Sequence, residues 1–222
     1  MAEENIRASF KDIAHKIGQV ITFTSVTTGG SVTFPAFITQ FSDAYQVQYG
    51  GGAAAFGRTD PVKTYQSTSR RINVGFDILG HNFETAVENF TNFSKLVKML
   101  YPVYSEAIAK ENNARTIKAP PMFRIKYANY ITSQNPNGLM GYLGGFSFQP
   151  DFQAGHFNDA GDMIPIKYSV SFTFEPIHEQ PLGADYTNTE LFLDQTFPYN
   201  RAEGGARASA AAGAQPAVRS TQ

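Results

Sequence analysis

NFETAVENFTNFSKLVKMLY, residues 82–101, is the stretch whose reading decides the fold. Phe83, Ala86, Val87, Phe90, Phe93, Val97, Leu100 and Tyr101 recur at steps of three and four, which draws one apolar stripe along an α-helix. Thr85, Glu88, Asn89, Asn92 and Lys95 fall on the opposite side. Asn82 suits the N-cap, Glu84 and Glu88 lie near the positive end of the macrodipole, and Lys95 and Lys98 lie near the negative end. Pro102 forbids continuation. The segments on either side read as strands, so the spacing predicts one long helix, 82–101, against a sheet.

Upstream, QVITFTSVTTGGSVTFPAFITQF (19–41) reads as a β-hairpin split at Gly29-Gly30, either held in the body or protruding. Residues 42–63 hold three consecutive glycines and a run of small residues, and read as a surface loop; the phosphate-binding pattern GxxxxGK[ST] is absent. In 64–79 the alternation of Ile72, Val74, Phe76 and Ile78 with Asn73, Gly75 and Asp77 marks a half-buried strand. Downstream, VYSEAIAK is expected to extend as a short helix, 122–131 as a strand, and 139–148 as a strand whose internal glycines mark bulges or close backbone approach. Residues 149–163 read as a loop, and 164–175 as the last strong strand, with Tyr168, Val170, Phe172 and Phe174 on one face. Ile6, Phe10, Ile13 and Ile17 predict an amphipathic N-terminal helix closed by Gly18. The Ala-, Gly- and Ser-rich end cannot build a core of its own. The expected organisation is a helix over 1–18, a β domain over 19–183 and an extended tail over 184–222. The fold class is α+β, mainly antiparallel: a small barrel or sandwich with one long helix packed across it.

The composition narrows function. A net charge of −1 gives no global field for nucleic acid or anionic membrane. The absence of cysteine excludes disulfides, thiolate metal sites and Cys nucleophiles. No run approaches about 18 apolar residues, so no membrane-spanning helix is expected, and the polar, acidic start MAEENIRASF does not read as a signal peptide. His15, His81, His156 and His178 are scattered, and no catalytic set, metal site or cofactor motif is found. Asp151, His156, Asp159 and Asp162 fit no known ligand spacing. Ser67-Thr68-Ser69-Arg70-Arg71 and the helix lysines are read as a solvated face or subunit salt bridges rather than phosphate contacts.

Five phrases, in this order, carry a resemblance: GRTDPVKTYQSTSRRINVGFDI (57–78), AVENFTNFSKLVKMLYPVY (86–104), APPMFRIKYANYI (119–131), GLMGYLGGFSFQPDFQAGHF (138–157) and YSVSFTFEPIHEQPLG (168–183). Over about residues 34–183 the chain resembles structural proteins of contractile-tailed bacteriophages related to the baseplate tube initiators. The resemblance implies a tail-tube-like fold, similar to the subunits of bacterial secretion tubes. Such subunits form six-fold rings whose inner sheets join into one barrel around a DNA channel. The first ring sits on the central hub and templates the tail tube. The implied partners are copies of this chain, the hub, the tube protein, wedge or sheath proteins, and passing DNA without sequence specificity. The implied location is the virion tail, after assembly in the host cytoplasm.

Within this frame Asn73, Asp77, Ser169, Ser171 and Thr173 are the expected channel-lining residues, on polar strand faces suited to a wet bore. Glu88, Lys95 and Lys98 on the helix, with Arg70 and Arg71, are the expected contacts between subunits. Two other classes stay open: a neck or receptor-binding adaptor using the 19–41 hairpin, and a baseplate cell-wall hydrolase needing carboxylates such as Asp151, Asp159 and Asp162.

Overall fold

A computed structural model describes residues 14, 18–52, 56–57, 59–105, 116–159, 161–184 and 197–199. The expected N-terminal helix and most of the C-terminal tail lie outside these residues; Ala14 is helical and buried.

The protein is mainly antiparallel β with a single long helix among the described residues, and the sheet is not a closed barrel. In chain order come β1 (Val20–Ser25), β2 (Ser31–Pro35), β3 (Phe37–Gly50), β4 (Thr64–Leu79), α1 (Phe83–Met99), β5 (Val103–Tyr104), β6 (Ile117–Ala119), β7 (Phe123–Tyr127), β8 (Leu139–Pro150), β9 (His156–Asp159), β10 (Asp162–Pro165) and β11 (Lys167–Pro176). Seven strands form one sheet in the order β2-β1-β7-β8-β11-β4-β3, and β5–β6 and β9–β10 are separate ribbons.

This order imposes a roll. β2 and β3 are opposite edges of the sheet, yet only Ala36 separates them in the chain. Four strand spacings lie between β1 and β4, about 19 Å along a flat sheet at about 4.8 Å each. The rings of Phe23 on β1 and Phe76 on β4 are nevertheless 6.4 Å apart, and Phe23 lies 5.3 Å from Phe172 on β11. The sheet therefore curls until its two ends face each other across a core of Ile21, Phe23, Phe34, Ile72, Phe76, Ile125, Phe172 and Phe174. The alternation of β4 and β11 supplies the inner face of that roll, with Tyr168, Val170, Phe172 and Phe174 paired to Ile78, Phe76, Val74 and Ile72.

The hairpin at Gly29 is present, with Gly29 at φ 71° and the Ser25 N–H donating to the Gly30 carbonyl at 2.8 Å. It belongs to the body rather than protruding: Phe23 and Phe34 are in the core, and a side chain at Gly30 would meet the Met99 methyl of α1 at 2.8 Å.

The helix is capped as the sequence predicts, with Asn82 Oδ1 accepting from the Thr85 N–H at 2.8 Å. Its buried line is rotated from the expected stripe. Ala86, Asn89, Phe93 and Leu96 are buried, whereas Phe83 and Tyr101 are exposed. The predicted polar position Asn89 is inside, where its Nδ2 donates to the Leu79 carbonyl at the end of β4 at 3.2 Å. Phe93 stacks on Phe148 at 4.5 Å and on Phe146 at 5.9 Å, which seats the helix on β8. Gly80 has no room for a side chain beneath the first turn, since a Cβ there would lie 2.5 Å from that of Ala86.

β8 shows why its glycines are there. In a straight strand Leu143 and Phe146, three apart, would face opposite sides. The register slips between Ser171 and Thr173, and Gly145 sits at φ 56°, so a bulge turns both side chains toward the core. Other expectations are corrected. Val103 and Tyr104 pair with β6 rather than lying in a helix, because Pro102 stops α1 and the ladder takes the chain; residues 106–110 of the expected short helix lie outside the described residues. Residues 156–165 form the β9–β10 ribbon rather than a loop, and Ile166 separates it from β11. The largest correction falls on 42–63: the chain stays in β3 through Gly50, laddered against β4 from Phe37↔Asp77 to Gly50↔Thr64.

Two substitutions test this packing. Phe93→Ala should cost about 3–5 kcal/mol in denaturant unfolding, and a cost below about 1 kcal/mol would remove α1 from the core. The Tyr168 hydroxyl is buried with no hydrogen-bond partner among the described residues, so Tyr168→Phe should equal or exceed wild-type stability by about 1 kcal/mol in the same assay.

Candidate assembly interface

The β3–β4 ribbon outruns the body. Residues 44–50 pair with 64–71 beyond the last buried core positions, an arm about 20 Å long at about 3.4 Å per residue. Its two faces differ. One continues the polar outer face of the sheet with Ala44, Gln46, Gln48, Ser67 and Ser69, where the Ser67 hydroxyl donates to Gln48 Oε1 at 3.5 Å. The other continues the core face with Tyr45, Val47, Tyr49 and Tyr65, all exposed, and Tyr49 meets Tyr65 edge-on at 6.3 Å. The inner face of a rolled sheet thus carries on into the open without a covering layer among the described residues. β3 is also an edge strand of the sheet among the described residues.

Where core gives way to arm, a charge pair closes the inner face. Arg70 Nη2 lies 2.7 Å from Asp43 Oδ2, and Arg70 Nε lies 3.0 Å from Oδ1; the two side chains are 3% and 2% exposed. The Tyr45 hydroxyl donates to the same carboxylate at 2.9 Å, and the Tyr199 hydroxyl at 3.1 Å. The Arg70 guanidinium lies 5.3 Å from the ring centres of both Tyr45 and Phe197. Burial alone would raise the Asp43 pKa, but hydrogen bonds and charge from Arg70, with the tyrosine hydroxyls, hold it below the ordinary carboxylate value. Burial is also the first cause that raises the Tyr45 pKa. Arg70 and Asp43 are therefore committed within one chain, and desolvation makes each dependent on the other.

The other expected site residues fall into three groups. Arg71 pairs with Glu175 across β4–β11 at 2.7 Å, with both side chains more than half exposed, a pair that contributes little to stability. Asn73, Asp77, Ser169, Ser171 and Thr173 share the outer face of β4 and β11, where the Ser169 hydroxyl donates to Asp77 at 2.6 Å and the Thr173 hydroxyl donates to Asn73 at 2.8 Å. Lys167 Nζ lies 3.1 Å from Asp77, which balances that carboxylate. Glu88, Lys95 and Lys98 lie on the exposed side of α1, and both lysines border a shallow apolar groove of about 330 Å³ with Thr28, Met99 and Val103.

Of the carboxylates considered for hydrolysis, Asp151 caps a short 3-10 turn by accepting from the Gln153 and Ala154 N–H groups. Asp162 sits in register with Asp159 on the β9–β10 ribbon. Among the described residues no three His, Asp or Glu side chains gather to hold a metal, and no helix is long and apolar enough to cross a membrane.

The fold and its surfaces define an α+β, mainly antiparallel protein with an open rolled sheet and a projecting ribbon. No protein-family model matches the chain, and no curated protein matches it. Among solved structures it is similar to the Dit protein of phage SPP1, described as a paradigm of the hub adsorption apparatus in phages that infect Gram-positive bacteria. That match has 14% identity over 73% of this chain and 51% of that one, with a TM-score of 0.35. It is also similar to the baseplate of the anti-feeding prophage, with 8% identity over 70% of this chain and 87% of that one, and a TM-score of 0.30. The chain spans about half the length of the Dit protein. Likeness at these scores carries no argument about function.

The Arg70–Asp43 pair sets an acid dependence. A carboxyl whose folded pKa is depressed contributes stability that is complete above its unfolded pKa of about 4 and is lost as pH falls through the folded value. Asp43→Ala should cost at least about 3 kcal/mol at neutral pH, because it strands a buried guanidinium. The gap between wild type and variant should narrow below about pH 4 in chemical denaturation. A pH-independent gap would show that the ionised pair does not carry the effect.

Proposed function

We propose that the chain is a structural subunit of a contractile phage tail. It forms a ring at the junction of baseplate and inner tube, links the central hub to the tube, and templates tube polymerisation. The observation that carries the reading is the arm: a long edge ribbon with a polar face and an uncovered aromatic face, built as a direct continuation of the rolled sheet. A ribbon of this kind is aggregation-prone in isolation and becomes an assembly device when a second chain completes it. The family resemblance of residues 34–183 supplies the kind of assembly, a six-fold ring with hub and tube as neighbours.

The mechanism is geometric. The neighbouring subunit hydrogen-bonds the free edge of β3 and covers Tyr45, Val47, Tyr49 and Tyr65, and repetition of this head-to-tail contact closes a ring. In this reading the hydroxyl- and amide-rich outer face with Asn73, Asp77, Ser169, Ser171 and Thr173 lines the channel. Lys167 is balanced by Asp77 and Arg71 by Glu175, so among the described residues this patch offers DNA no array of unpaired cations, as suits passage without sequence-specific binding. Glu88, Lys95 and Lys98 form the contact of α1 with a neighbouring subunit or ring, and wedge or sheath proteins meet the outside. Against the adaptor reading, the hairpin aromatics Phe23 and Phe34 are in the core, which favours the arm as the contact surface.

Electron microscopy of the purified protein, alone and with its hub, should show a ring with a central hole, and a protein that stays monomeric in both conditions would overturn the reading. Replacing residues 46–67 by a short turn should leave a folded monomer that no longer assembles. Reversing charge at Lys95 and Lys98 should lower assembly at least tenfold in sedimentation while shifting the unfolding midpoint little.

A further inference from the structure

Among the described residues, the attachment on the aromatic side of the arm comes from far along the chain. Beyond Arg70 and Tyr45, the described residues of the arm are exposed on both faces, so nothing in the body fixes its direction there except the ladder itself. At its base the described segment 197–199, Phe-Pro-Tyr, lies across the inner face. Phe197 packs edge-on against Tyr45 at 6.1 Å and against His178 at 5.5 Å, and its ring centre lies 5.3 Å from the Arg70 guanidinium, beside Tyr45. Tyr199 donates to Asp43 and meets Tyr130 at 5.8 Å, and Tyr130 in turn meets Phe41 of β3 at 5.2 Å.

One carboxylate therefore receives Arg70 and Tyr45 from the arm together with Tyr199 from the C-terminal segment. The cradle has the chemistry of a site for a short aromatic segment: a planar cation to stack on, an anion to accept a phenol, and flanking rings.

We propose that Phe197-Pro198-Tyr199 is a clasp that occupies this cradle and fixes the direction of the β3–β4 arm. A two-stranded ribbon beyond a core is marginally stable by itself, so its order near the base depends on contacts of this kind. A fixed arm meets a partner without the entropic cost of ordering a loose one. The clasp is thus a device that prepares the arm for contact, and its local action does not depend on what the arm contacts.

The test is amide hydrogen exchange on the full chain, comparing the arm (44–50 and 64–69) with the body (72–79 and 168–175). The Phe197→Ala/Tyr199→Phe double variant should exchange at least tenfold faster in the arm with the body unchanged. Phe197→Tyr keeps the stacking ring and should retain wild-type protection. An unchanged arm in the double variant overturns the clasp, and so does an equal rise in arm and body, which would make the segment a general stabiliser. Loss of protection in Phe197→Tyr overturns the stacking cradle. The readout requires no ring, so the clasp and the assembly reading fail separately.

Discussion

Everything in this fold depends on rolling the sheet until its edge strands meet. β2 and β3 are hydrogen-bonded to opposite ends of a seven-stranded sheet, and a single residue, Ala36, joins them. No flat arrangement satisfies that connection. The roll places Phe23, Phe76 and Phe172 within ring contact, although their strands would be far apart in a plane. The bulge at Gly145 and the tight seat of α1 over Gly80 are local consequences, one turning β8 inward and the other letting a helix cover the open side.

A roll of this kind has a defined end, and the chain marks it with charge. As β4 leaves the core toward its N-terminal half, the inward position after Ile72 is Arg70, and it pairs diagonally with Asp43 of β3, the residue that faces Ile72. A buried ion pair is weak evidence for net stability, since desolvation offsets most of the attraction. It is well suited to marking a boundary, because each partner is costly to bury alone. Beyond it the same face continues as exposed tyrosines, so a single β-ladder serves first as core and then as surface.

On the outer sheet face the Ser169 hydroxyl donates to the Asp77 carboxylate and the Thr173 hydroxyl to the Asn73 amide, while Asp151 caps a turn and Asp162 lies on a ribbon. Coverage of an exposed aromatic ribbon is a problem that a second chain can solve, which ties the proposed ring to the geometry of one subunit.

Local patterns determined much of this protein from sequence alone. Periodicity and the Asn82 cap located α1, and strict alternation located β4, β11 and their outer polar partners. The glycines of 139–148 announced a bulge, and Gly29 announced a hairpin turn. The arm was half legible: Tyr45, Val47 and Tyr49 alternate, but Gly, Ala, Gln and Asp around them have weak strand propensity, and only the ladder with β4 holds them extended. Tertiary structure alone decided the rest. Asn89 is buried against the end of β4, where it donates to the Leu79 carbonyl, Arg70 finds Asp43 across 27 residues, and Tyr199 reaches Asp43 across 156. Such pairings have no periodic trace in sequence, because they arise from which strands the roll brings together rather than from the pattern within any one of them.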